Sequence, residues 1–191
     1  MRCRYPFLAI LLFSLSSANG GEQYARVSEL QPELQQALVR DAACSTRTIN
    51  ASDAQDPRAQ ESSTLLDTPV STQEILAAGR EAGVIAAPHD ACHCANENCS
   101  TFVYLRSGAS YRLALRDTFS SLHPMKVTMH GLPSLSGKYQ LNPNQEETTV
   151  FNWNGQQYEP GLCATVTRRN NQKFPAISTH PCHVKSKSSN P

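Results

Sequence analysis

The chain has 191 residues, with 17 Lys plus Arg against 16 Asp plus Glu, a formal net charge of +1. That balance lacks the basic excess that draws a protein to nucleic acid. The length suits one domain, and no apolar run is long enough to cross a membrane as a helix.

The chain opens MRCRYPFLAILLFSLSSANGGE. Arg2 and Arg4 precede a short apolar stretch, Phe7 to Leu15, and small residues follow from Ser16 to Gly20. This is the pattern of a secretory signal peptide over residues 1–20. The stretch is too short to cross a bilayer as a helix, so no membrane span is expected after cleavage. Cleavage would remove two arginines, leaving 15 basic against 16 acidic residues and a net charge of −1. The expected location is the periplasm or the extracellular space.

Residues 21–44 hold the first periodic segment. Leu30, Leu34, Ala37 and Leu38 recur at helical spacing, and Pro32 suits a first turn. The expected helix runs from Gln31 to Ala43. Residues 45–70 are polar, with only Leu65 and Leu66 to bury. So little apolar content does not offset ordering entropy, and a flexible linker or long loop is expected. Ser71-Thr72-Gln73-Glu74 has the form of a capping box, S-x-x-E, and Gly83 a helix-ending glycine. A second helix is therefore expected from Thr72 to Ala82.

From Cys99 onward the period shortens to that of strands. TFVYLR (101–106) and YRLAL (111–115) flank an SGAS turn, and KVTMH (126–130), KYQL (138–141), TTVFNW (148–153), QQYE (156–159) and CATVTR (163–168) follow. Asn154-Gly155 is the preferred pair of a type I′ hairpin turn. Trp153 beside it reads as a packing residue. The core domain is placed at 71–170 and a disordered tail at 171–191. The expected class is α+β: one or two helices packed on an antiparallel β-meander of five or six strands, stapled by disulfides.

Six cysteines lie beyond the signal: Cys44, Cys92, Cys94, Cys99, Cys163 and Cys182. An even count in an exported chain reads as a disulfide framework. Cys94 and Cys99 bracket a turn-forming Ala-Asn-Glu-Asn, which lets the two ends meet. Cys44 is expected to reach a distant partner, Cys92, Cys163 or Cys182. The stretch HDACHCANENC also mixes soft ligands, and a second block offers His180, Cys182 and His183. A metal-binding alternative would use His89, His93, His180 and His183 with thiolates. Its C-x-C and C-x4-C spacings are unlike a zinc knuckle, and the chain holds no C-x-x-C, G-x-S-x-G, H-E-x-x-H or phosphate-cradling glycine loop. No cofactor and no catalytic residue is expected. A cell-envelope hydrolase without a recognised motif is the remaining alternative. Asn50-Ala51-Ser52 and Asn98-Cys99-Ser100 match the N-glycosylation pattern, which counts only on a eukaryotic secretory route.

CANENCSTFVYLRSGASYRLAL, followed later by TTVFNWNGQQYEPGLC, resembles small exported proteins of Gram-negative bacteria. These carry a C-x4-C pair before a strand and a terminal W-x-G-x-x-Y hairpin. The resemblance spans about Gly83 to Cys163 and implies an exported, stapled fold without specifying an activity. The polar segment 45–70 and the extra cysteine of C-H-C depart from it. Pro88-His89-Asp90-Ala91-Cys92 is also similar to the stapled Pro-His-Asp loop of periplasmic lysozyme inhibitors, with one residue inserted. That likeness implies a non-enzymatic module that binds or inhibits a periplasmic or extracellular protein partner through His89, Asp90 and His93. A rigid loop of this kind enters a cleft with little loss of entropy.

Overall fold

A computed structural model describes residues 22–42, 65–168 and 174–182. The expected signal peptide, Cys44, His183 and most of the 45–70 segment lie outside these. Strand β1 (Gln23–Arg26) leads through a 3-10 turn (Val27–Glu29) into helix α1 (Pro32–Asp41). A second 3-10 turn (Leu65–Asp67) precedes β2 (Pro69–Ala77), β3 (Arg80–Pro88), β4 (Cys94–Ala95), β5 (Asn98–Ser107) and β6 (Ser110–Phe119). The chain continues as β7 (Ser121–Met129), β8 (Leu132–Asn142), β9 (Gln145–Trp153), β10 (Tyr158–Thr167) and β11 (Ala176–His180).

Every pairing is antiparallel, but the strands form two sheets rather than one meander. The first is ordered β1-β2-β3-β5, with β4 and β6 also pairing with β5. The second is a five-stranded meander, β7-β8-β9-β10-β11. The chain crosses between sheets at Ser120, whose amide donates to the Lys138 carbonyl at 2.8 Å. Turn signals alone place strands; they do not say where a meander changes sheet.

Residue pattern explains the layering. In β5, Phe102, Val103 and Tyr104 are fully buried and Leu105 nearly so, which requires cover on both faces. Phe102 and Tyr104 face α1, joining Leu34, Ala37, Leu38, Val70 and Val84 in one cluster. Val103 and Leu105 face the second sheet with Ile75, Ile85, Leu135, Phe151, Trp153 and Tyr158. The first sheet is thus the middle layer of three. Helix α1 holds its register because Pro32 starts it and Leu34, Ala37 and Leu38 make one buried stripe. Trp153 is core, tilted on Tyr158 at 5.3 Å between centroids.

Four expectations are corrected. The second helix, Thr72 to Ala82, is instead the β2–β3 hairpin. Its turn residues Ala78 and Gly79 take φ of 50° and 75°, which no helix permits. The hairpin sends Val70 and Val84 to one core cluster and Ile75 and Ile85 to the other, so pairing within the middle layer overrides the apparent capping box. The linker assigned to 45–70 ends sooner, because Leu65–Asp67 form a 3-10 turn and Pro69 starts β2. The tail assigned to 171–191 contains β11, held to β10 by pairing and by the Cys163–Cys182 disulfide. Finally, Asn154-Gly155 is not a two-residue type I′ turn. Only Gly155 has positive φ, and Trp153 pairs with Tyr158 across a four-residue loop. The Asn154 carboxamide oxygen accepts from the Gln156 and Gln157 amides, an Asx-type turn.

Candidate functional site

The loop after β3 carries the chemistry flagged in HDACHCANENC. It leaves the sheet at Pro88, which is buried, and the His89 amide donates to the Pro69 carbonyl at 2.8 Å. Asp90 then organises the turn. Its Oδ1 accepts from the Cys92 amide at 3.0 Å, the His93 amide at 2.9 Å and His93 Nδ1 at 2.7 Å. Its Oδ2 accepts from Thr68 Oγ1 at 2.9 Å. Burial opposes ionisation of Asp90, but the His93 ring, its amide and the Thr68 hydroxyl outweigh it and lower the carboxyl pKa.

His93 is buried, and its Nε2 faces the Ala42 carbonyl at 2.8 Å. Each ring nitrogen thus lies within hydrogen-bond distance of an oxygen, Asp90 Oδ1 on one side and the Ala42 carbonyl on the other. Ala42 is the residue that ends α1. Asp90 and His93 thus bind the loop to the helix, and neither presents a free polar edge outward.

His89 is the exposed member. Its Nε2 lies 2.9 Å from Ser71 Oγ on β2, and its Nδ1 lies 3.7 Å from Cys99 Sγ. The Tyr24 ring sits 5.8 Å away, tilted and 69% exposed. Cys94 and Cys99 are direct cross-strand partners joined by a disulfide, and Asn96-Glu97 between them take φ of 50° and 68°, a type I′ turn. Cys92 is disulfide-bonded as well. Asn98 of the glycosylation pattern is buried, its amide donating to the Gln140 carbonyl at 2.9 Å, so it is sealed from modification.

These parts line one side of an open cleft of about 680 Å³, with Tyr24, Ser71, Gln73, Phe119 and His123 on its other walls. His123 Nδ1 donates to the Gln73 carboxamide oxygen at 3.1 Å. A second groove, about 940 Å³, runs along β6 against the second sheet. The cleft beside His89 brings two histidines, His89 and His123, to the Cys94–Cys99 disulfide, whereas the second groove is lined by Cys163 and Cys182 without a histidine.

Of the expected metal set, His183 lies outside the described residues, and His89, His93 and His180 do not share one ligand group. Among the described residues the close ligand groups are His89 with Cys94 and Cys99, and Asp90 with Cys92 and His93; neither includes His180. His180 stands on β11 in the second sheet, its Nε2 at 3.2 Å from Thr165 Oγ1. The cysteines of both groups are in disulfides. Among the described residues the cleft also holds a hydroxyl–imidazole pair with no carboxylate behind it. Ser71 and His89 have hydroxyl–imidazole geometry, but the other His89 nitrogen faces a sulfur, and the neighbouring Asp90 is turned to His93. Sequence reasoning missed Ser71, Thr68, Tyr24 and His123. The β1–β2–β3 pairing, which a helical reading of residues 72–82 conceals, places Tyr24 and Ser71, while His123 comes from β7 of the second sheet.

No protein-family model, curated protein or solved structure matches this chain.

Proposed function

We propose that the chain is an exported, non-enzymatic binding module that presents the His89 loop to a periplasmic or secreted protein partner, inhibitory where that partner is an enzyme. The observation that carries this is preorganisation. The loop is fixed by the Cys94–Cys99 disulfide, by the second disulfide at Cys92, and by the Asp90 hydrogen bonds before any partner arrives. Association then costs little ordering entropy. Disulfides of this density are the mark of an oxidising compartment, which supports export. The binding face is His89 with Tyr24 rather than Asp90, whose carboxylate is consumed within the loop. Aromatic and imidazole groups at the rim of a cleft suit a buried protein contact.

The test is site-specific photocrosslinking in the exported compartment. A crosslinker at Tyr24 should yield a stoichiometric adduct that a crosslinker at the exposed Ile177 of β11 does not, and His89→Ala should remove it. The purified partner should then bind wild type and lose at least tenfold in affinity for His89→Ala. Equal adducts from both positions, or no adduct at Tyr24 in repeated trials, would overturn the proposal.

A further inference from the structure

We infer that Cys94, Cys99 and His89 form a zinc site that is closed by oxidation and opened by reduction of the Cys94–Cys99 disulfide. This goes beyond the binding reading and does not need a partner protein. The three ligand atoms lie within 4.8 Å of one another at the cleft wall. Two thiolates and an imidazole are a donor set that zinc accepts, with a fourth position left for water from the cleft.

Three features prepare the site. Ser71 Oγ holds His89 Nε2 at 2.9 Å, so that Nδ1 faces the sulfurs at 3.7 Å from Cys99 Sγ. A ligating histidine needs this kind of outer partner to fix its ring and tautomer. Cys94 and Cys99 are directly opposite in the ladder, and their hairpin turn is formed independently by Asn96-Glu97. Opening the bond therefore leaves both thiols on adjacent strands, side by side. The disulfide also closes a loop of only five residues' separation, against 19 for Cys163–Cys182. Its loss releases less chain entropy, so the fold survives the opening.

The chemistry balances with a dithiol reductant. Its two thiols give two electrons and two protons to the Cys94–Cys99 bond, leaving two cysteine thiols and the reductant's own disulfide. Zinc then displaces the two thiol protons and binds the thiolates.

The experiment treats the full folded chain with limiting dithiol, maps the opened cysteines by alkylation and mass spectrometry, and titrates with Co2+ under anaerobic conditions. The fraction with Cys94 and Cys99 opened should show sulfur-to-cobalt charge-transfer absorption that Zn2+ abolishes. Cys163→Ser/Cys182→Ser should retain the signal and Cys94→Ser should lose it. Affinity should fall at least tenfold in His89→Ala and about tenfold or more in Ser71→Ala. Far-ultraviolet circular dichroism of each variant separates lost binding from lost fold. Absence of charge transfer in a folded protein with both thiols free, or a signal unchanged by His89→Ala, would overturn the assignment.

Discussion

Asp90 gathers four hydrogen bonds on one carboxylate and thereby ties the loop to Thr68 and, through His93, to the end of α1. Asp90→Ala would leave the buried His93 ring and the buried Thr68 hydroxyl without that acceptor. A destabilisation of about 3 kcal/mol is expected from urea unfolding, since orphaned buried polar groups carry their full desolvation cost. The pH dependence follows from the lowered carboxyl pKa. A carboxyl held below its unfolded value, about 3.9, contributes fully above that value and loses the contribution as pH falls through the folded one. Wild type should therefore lose stability below about pH 4, and Asp90→Asn should show a flatter curve there. Identical curves for the two proteins would remove Asp90 from the account.

At the scale of elements, the sign of one substitution decides between hairpin and helix. Gly79 stands at φ 75° with nothing within 4 Å of a would-be Cβ. In the hairpin, Gly79→Ala should destabilise by about 1 kcal/mol, because a left-handed conformation strains any Cβ. In the helix first expected there, the same change would stabilise by about 1 kcal/mol. Thermal unfolding reads the sign. Helix α1 was legible in the chain because Leu34, Ala37 and Leu38 repeat on one face, and Leu38→Ala should cost about 2–5 kcal/mol at a fully buried position. Strand β5 was legible from its run of β-branched and aromatic residues, TFVY, and β6 from the SGAS turn that precedes YRLAL. The β2–β3 hairpin was not. Ala and Glu are weak strand formers, and its strand character comes from pairing with β1 and β5 on either side. The Cys94–Cys99 turn was readable from ANEN, whereas the Ser71–His89 contact depended on a register that local sequence does not encode.

At the scale of the whole molecule, the described residues make three layers of one helix and two sheets, and disulfides tie down the β4–β5 hairpin and the edge strand β11. Cys163–Cys182 closes the longer loop and anchors the edge strand β11, which carries exposed Ile177. Chain-entropy reasoning gives it about 3 kcal/mol, against about 2 kcal/mol for Cys94–Cys99. Cys163→Ser/Cys182→Ser should therefore unfold at lower urea than Cys94→Ser/Cys99→Ser. The reverse order would show that the short staple supports more of the fold than its own hairpin.

The preformed loop rests on oxidation, so the most direct measurement is the thiol state of the protein recovered from its own compartment. Intact mass before and after reduction, with peptide mapping of linked cysteines, should show no free thiol among Cys92, Cys94, Cys99, Cys163 and Cys182 and a peptide bridged by Cys94–Cys99. The stapled His89 loop is then the form that meets a partner. Recovery with Cys94 and Cys99 free would contradict the proposed binding function, because the loop would reach its partner unstapled.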